Sequence, residues 1–436
     1  MPSEPSSDSS SPAGAPTDSV RPSRPGLRGA LSALENSRYR WLFASNFAFF
    51  LAMGSQQIVR AWLAFEMTDS ELALGLIGFT VAVPMFVAGP LGGVVADRRE
   101  RRSLIAMGQA AVVVSEGSVL ALLATGNLQF WHLLVASGVM GSVFPFIMPA
   151  RQAIVANIVG KAGLSNAMAL NMAGVSLTRV IGPAAGGFLI GLAGVEATYA
   201  VGITLYVIAL VCLIRVGSSP PTGHAGGRKV LENLSEGMRY VAENRLVMVL
   251  LLFGLIPMFL AMPFQTLLVV FAEEIWQVGS AGLGMLSASA GIGAVVGSVY
   301  VAWRSDAPNR SRRQVLSMVG FGVFLLLFAL CPWFWIGLPL VFLANVFASI
   351  YGTLNNTAIQ LLIPDRVRGR ISSFLMMSFS LPLLGTLPMS AIAELWGAPI
   401  AVGVASVLAV VIALMFYASS PALRNIDATL QRAMVE

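Results

Sequence analysis

The chain has 436 residues, 56% of them hydrophobic and 11% charged, with a mean hydropathy of +0.78. Soluble domains carry about 25% charged residues, so this composition excludes a water-soluble surface around the whole molecule and requires that most of it face lipid. The formal net charge of +6 would suit a nucleic-acid surface, but the placement of the basic residues points to membrane topology instead.

Residues 1–37 are rich in Ser, Pro, Gly and Arg and contain no apolar run. They read as a disordered tail and lack the hydrophobic segment of a signal peptide. A helix needs about 20 apolar residues to cross ~30 Å of hydrocarbon. Stretches that meet this follow at 40–66, 71–96, 103–125, 130–151, 164–193 and 196–216. Six more lie at 246–272, 281–303, 314–332, 335–362, 371–394 and 398–419. The predicted fold class is therefore an all-α membrane protein with twelve transmembrane helices. Residues 38–216 form one six-helix bundle, 246–419 a second, and 420–436 a tail. The linker, 217–245, starts Gly/Pro/Ser-rich and then spaces Leu231, Leu234, Met238 and Val241 as one face of a short amphipathic helix. Six plus six with a linker predicts two bundles related by a pseudo-twofold axis along the membrane normal.

Alternating the loops across the bilayer puts 25 of the 27 Lys and Arg residues on one side. Arg151 and Lys161 are counted there, in the loop after span four. The opposite side has no Lys or Arg and carries Glu66, Asp69, Glu71, Glu196, Glu273, Glu274 and Glu394. Basic loops stay in the cytoplasm, so both termini are expected there, in a multi-pass protein of the plasma (inner) membrane. Cys212 and Cys331 lie in apolar stretches and read as small buried residues. His132, near the acidic side, reads as an interfacial packing residue.

Arg60, Glu116 and Arg179 fall inside spans. Ionisable groups are costly there and mark functional sites by default. Glu116 and Arg179 are expected near the midplane, with Arg60 about 10 Å nearer the acidic side at 1.5 Å per residue. The proposed coupling role is that Glu116 titrates while paired with Arg60 or Arg179; a permanent structural pair is the competing reading.

The loop after span two reads Gly92-Gly93-Val94-Val95-Ala96-Asp97-Arg98-Arg99-Glu100-Arg101-Arg102. It resembles the signature loop of the major facilitator superfamily. A weaker copy after span eight has Gly297, Arg304, Asp306, Arg312 and Arg313. The resemblance implies that Gly92, Gly93, Asp97, Arg98, Arg101 and Arg102 gate the cytoplasmic side. Glu66-Met67-Thr68-Asp69-Ser70, Pro149-Ala150-Arg151-Gln152-Ala153, Asn166 to Asn171 and Arg368-Gly369-Arg370 narrow it to the enterobactin-exporter and macrolide-efflux branch. In span five, Gly182, Pro183, Gly186 and Gly187 are similar to the element associated with antiport. They also form small-xxx-small pairs that permit close helix packing.

In this superfamily the first, fourth, seventh and tenth helices line the cavity. The resemblance therefore implies a lining of Asn46, Met53, Gln56 and Gln57 from span one. It adds Met258, Met262, Phe264 and Gln265 from span seven, and Asn345, Asn355 and Asn356 from span ten. Met, Phe and amides suit bulky amphipathic ligands, because Met repacks easily. The expected function is a proton-antiporting secondary transporter that exports amphipathic, drug-like small molecules, acting as a monomer. A dedicated exporter of a siderophore or other endogenous metabolite is the alternative, and a non-transporting receptor or scaffold is the alternative of another class. No zinc-protease, nucleophile-elbow or nucleotide-loop motif occurs, so no enzyme activity, metal, cofactor or nucleic-acid partner is expected.

Overall fold

The computed structural model describes residues 32–219, 238–304, 309–362 and 380–424. Every regular element among them is helical. We label the helices α1 Ser37–Thr68, α2 Glu71–Arg98, α3 Arg101–Ala124, α4 Phe130–Gly160, α5 Gly163–Ile214 and α6 Arg245–Ile275. There follow α7 Gly279–Trp303, α8 Arg310–Ala329, α9 Phe334–Leu362, α10 Leu381–Trp396 and α11 Ala398–Ser419. Ten of these are long and apolar enough to cross a membrane, and α10 is a shorter apolar helix.

The helix ends follow local chemistry. Asn36 caps α1 by accepting from the Arg38 and Tyr39 N–H groups. The helix stops at Asp69, whose φ of 48° turns the chain left-handed and returns its N–H to Phe65. Helix α2 starts two residues later without a side-chain cap from its own Ser70. Its cap comes from far along the chain. Glu394 of α10 accepts from Leu72 N–H at 3.0 Å and from Ser70 Oγ at 2.8 Å. A carboxylate at a helix N-terminus meets orphan N–H groups and the positive end of the dipole.

One expectation is corrected. The stretch after span four, expected as a loop carrying Arg151 and Lys161, is helical through to Gly160, where φ of 65° kinks the chain. Gln152 to Val159 is apolar enough to continue the helix, so Arg151 lies inside α4 rather than in a loop. Helical bonding then runs on into α5, which changes direction at Gly194 (φ 84°, ψ 172°) and so has two arms, 163–193 and 195–214. Only glycine takes such a conformation without strain. Helix α6 is irregular for a different reason. Pro257 and Pro263 remove backbone donors, and the chain responds with π-turns at Pro257–Ala261 and Phe271–Ile275 and a 3-10 segment at Met262–Leu267. Most of the predicted linker helix, the Arg368-Gly369-Arg370 run and Asp306 lie outside the described residues. Residues 238–243 are helical, with Arg239 Nε donating to Glu243 Oε1 at 2.8 Å.

The N-terminal half (α1–α5) and the C-terminal half (α6–α11) meet along two seams built on small residues. In the first, Gly75 and Gly78 of α2 lie against Leu387, Ser390 and Thr386 of α10. In the second, Gly187 of α5 lies against Gly284 and Ser280 of α7, and Gly291 of α7 against Val180. A Cβ at Gly187 would stand 2.5 Å from the Gly284 nitrogen, so a side chain there would force the helices apart. These approaches lie at mid-span or toward the end carrying Glu71, Glu274 and Glu394, called here the acidic end.

Candidate functional site

The structure brings Arg60 and Glu116 together. Both stand eight residues short of the acidic end of their helices, α1 and α3, about 12 Å in at 1.5 Å per residue. They are therefore level, correcting the expectation that Glu116 sits deeper. Arg60 Nη2 donates to Glu116 Oε1 in a closed ion pair. Tyr199 Oη donates to the other carboxylate oxygen at 3.0 Å, and Arg60 Nη1 donates to Ser137 Oγ at 3.3 Å. Arg60 is 6% and Glu116 1% exposed, so the pair is sealed inside the first half. Several polar atoms in the same interior are unmatched among the described residues: Arg60 Nε, the Tyr206 hydroxyl and both amide atoms of Gln109. Such atoms are what an internal water would bridge.

Arg179 is not part of this pair. It lies on the first arm of α5, is exposed, and makes no hydrogen bond or ion pair among the described residues. A further buried cation escaped the sequence reading, because it was counted in a loop. Arg151 is 3% exposed, its guanidinium 4.5 Å from the centre of the Phe49 ring. It donates to Asn46 Oδ1, and Asn46 Nδ2 in turn donates to Asn171 Oδ1 at 2.8 Å. Arg151 Nε and Nη2 find no partner among the described residues. A signal was available: Arg151 sits in a run with no other charge within nine residues on either side, unlike the clustered arginines of the loops.

Around the signature loop, Gly92 lets α2 press on the Pro145 carbonyl of α4, while Gly93 faces open space. Arg98 is exposed, Arg102 half-buried and Arg101 buried, reaching the Ala153 carbonyl at 3.5 Å. The Asp97 side chain lies outside the described residues. Hydrogen bonds from Ser103 and Ser218 hold the Glu100 carboxyl below the usual carboxylate range. Of the antiport-like element, Gly182 and Gly186 receive the α1 backbone at Leu51 and Ser55, and Pro183 sits against Gly54. Gly187 faces α7, so one short run touches both a neighbour in its own half and the other half.

The cavity candidates divide by exposure. Gln57, Gln265 and Asn356 are exposed, and Met53, Met258 and Met262 half-buried. Five others point into the helix bundles rather than into open space. Asn46 serves Arg151, Gln56 donates to the Tyr199 carbonyl at 3.0 Å, and Phe264 packs edge-on against Phe328. Asn345 donates to Val341 O at 2.9 Å, and Asn355 accepts from Gln314 at 2.6 Å. For these the helix is the predicted one but the face is internal. His132 accepts from Gln129 N–H at 2.9 Å as part of the α4 capping box, a local structural task.

Residues 28–435 match the model of the family described as transmembrane secretion effector. Enterobactin exporter EntS of Escherichia coli O1:K1 is 28% identical over 338 residues, which is 77% of this chain and 80% of the exporter. The counterpart from Shigella boydii serotype 18 gives the same figures. Among solved structures, nucleoside transporter NupG superposes with a TM-score of 0.70 at 13% identity, covering 87% of this chain and 98% of that one. A bacterial homologue of the human lysosomal transporter Spinster, inward-facing and unoccupied, gives 0.72 at 14% identity over 94% and 99%. At such identities these two report the fold alone. The family match over residues 28–435, with every regular element among the described residues helical and two glycine-lined seams between the halves, makes this protein a member of the major facilitator superfamily, in its exporter branch.

Proposed function

We propose that the chain is a secondary active exporter of amphipathic small molecules, working by alternating access with protons as the coupling ion. In this reading twelve spans form two six-helix bundles about a pseudo-twofold axis. Both termini and the linker 217–245 face the cytoplasm, and the protein acts as a monomer in the inner membrane. One observation carries the reading. The two halves touch through α2–α10 and α5–α7 at mid-span and toward the acidic end. Rocking about two such smooth seams opens one end of a central cleft as it closes the other.

Similarity to enterobactin exporters across most of both chains favours a siderophore or another endogenous metabolite over drug-like compounds as the cargo. Half-buried Met53, Met258 and Met262, with exposed Gln57, Gln265 and Asn356, supply adaptable apolar contacts and scattered amides for such a ligand. Proton coupling falls to Glu116, whose neighbourhood of unmatched polar atoms supports water access. The signature loop from Gly92 to Arg102 gates the basic end.

The test compares cells with and without the gene. Release of enterobactin and efflux of a drug panel are followed, each with and without a protonophore. Loss of enterobactin release on deletion, mimicked by the protonophore, is the expected result. Release and efflux both unchanged on deletion would favour a non-transporting receptor or scaffold. Loss of drug efflux alone would restore the drug-exporter reading.

A further inference from the structure

Four charged side chains stand inside the described spans away from the ends: Arg60, Glu116, Arg151 and Arg179. Arg60 and Glu116 neutralise one another. The remaining two are cations with no carboxylate partner among the described residues, so the interior of the N-terminal half carries uncompensated positive charge. Arg151 is enclosed by Asn46 and Phe49. Arg179 is not enclosed, and its surroundings decide what it can meet.

Arg179 lies sixteen residues from Gly163, midway along the first arm of α5. At that depth a side chain cannot snorkel to the headgroups. The faces of the arm are identified by what they touch. Gly174, Gly182 and Gly186 meet α1, while Val180, Ala184 and Gly187 meet α7. Leu177, Ile181, Phe188 and Leu192 form an exposed apolar stripe, as lipid requires. At about 100° per residue, Arg179 points away from that stripe. It occupies the fourth side of the helix, between the α1 face and the α7 face. Met172 and Ser176 share this side, and Met172 is 66% exposed. This side is exposed between a helix of its own half and a helix of the other half, and on the export reading it is the side that borders the central cleft.

We infer that Arg179 is the receptor for an anionic group on the substrate, so that the exporter's cargo is an amphipathic anion such as a carboxylate or an acidic phenol. This rests on the export reading and narrows it. A guanidinium in a low-dielectric cleft without a counter-charge favours a ligand that brings one, and its planar fork fits a carboxylate in two hydrogen bonds. Met172 offers a flexible apolar neighbour for the body of the ligand. A cell interior that is negative also drives an anion outward, because each charge crossing the membrane responds to the potential. Glu116 then keeps the proton-linked role and Arg179 the cargo-linked role, separating two tasks that the sequence had assigned to one group of residues.

Binding separates this inference from transport itself. The probes are dansyl-phenylalanine, an amphipathic carboxylate, and its neutral methyl ester, titrated by dansyl fluorescence. The protein is the purified full chain in phosphatidylcholine nanodiscs, with empty discs as the blank. The expected result is at least tenfold tighter binding of the acid than of the ester. Arg179→Gln should abolish that preference while leaving ester binding and the thermal melt near wild type, and Arg179→Lys should keep part of it. Equal affinities in the wild type, a preference that survives Arg179→Gln, or no binding of either probe would overturn the inference. Competition by phosphatidylglycerol added to the discs would overturn it too, by assigning Arg179 to a lipid headgroup. None of these outcomes touches the export reading, which stands or falls on the deletion experiment.

Discussion

Inside the N-terminal half, between α1 and α3, a guanidinium and a carboxylate share the interior with the Tyr199 hydroxyl. Among the described residues of the C-terminal half, the polar side chains that are buried are all neutral. Gln314 donates to Asn355 at 2.6 Å, and Asn355 donates to the Leu250 carbonyl at 3.3 Å. At the opposite, acidic end of the same half is an aromatic cluster in which Phe271, Trp276, Phe328 and Phe334 pack at tilted and edge-on angles. An amide pair holds two helices in register and does not change charge with pH. An ion pair in the same surroundings can lose its charge to a proton, and each partner depends on the other to remain buried. The two interiors thus differ in kind: one encloses an ion pair and the other neutral amides.

Substitutions in the two interiors can break this contrast. Glu116→Ala leaves Arg60 buried without a counter-charge, and removing one partner of a buried pair costs about 3–5 kcal/mol. The thermal melt of the detergent-purified protein should fall accordingly, with loss of proton-dependent efflux in vesicles. The double substitution Arg60→Met with Glu116→Met removes both charges and should recover most of the stability but not the efflux. Recovery of efflux as well would make the pair purely structural and erase the difference between the halves. Gln314→Ala should cost less, about 1–3 kcal/mol for an unmatched buried amide, and should leave the pH dependence of efflux unchanged. A larger loss there than at Glu116 would invert the comparison.

Smaller effects probe the seam and the basic end. Glu394→Ala removes the cap that the second half gives to α2, worth about 0.5–2 kcal/mol. Spin labels on α2 and α10 should report longer distances at the acidic end, and unchanged distances would show that the glycine seam alone holds the halves there. The smallest effect is expected at Glu100. Its pKa is lowered in the folded state by Ser103 and Ser218, so its stabilisation is present above the unfolded carboxylate value and is lost as pH falls through the folded one. Melting curves across the acid range should differ slightly between wild type and Glu100→Gln and converge at the lowest pH. Identical curves at every pH would detach Glu100 from the stability of the basic end.

Much of the architecture could be read from composition and spacing. Apolar runs long enough to span a bilayer, and the removal of arginine from one side, are one-dimensional properties that the chain displays without folding. The signature loop and the small residues of span five were legible for the same reason. Gly182, Gly186 and Gly187 announce close packing whatever the partner turns out to be. Helix boundaries were less legible where no polar residue marks them. The stretch after Arg151 continues as helix because its side chains are apolar and nothing breaks it before Gly160.

The residues themselves show that Arg60, Glu116 and Arg179 are charges in a place that penalises charge. Which two of them meet depends on how α1, α3 and α5 lie beside one another. A hydropathy profile contains no distances between helices, so Arg60 and Glu116 became a pair, and Arg179 a cation apart from them, only in three dimensions. The same holds for Asn46, Gln56, Phe264, Asn345 and Asn355, whose helices were identified but whose inward faces were not. Rotation of a helix about its own axis is decided by what its neighbours offer, and in lipid every side of a span is apolar enough to leave that choice to tertiary packing.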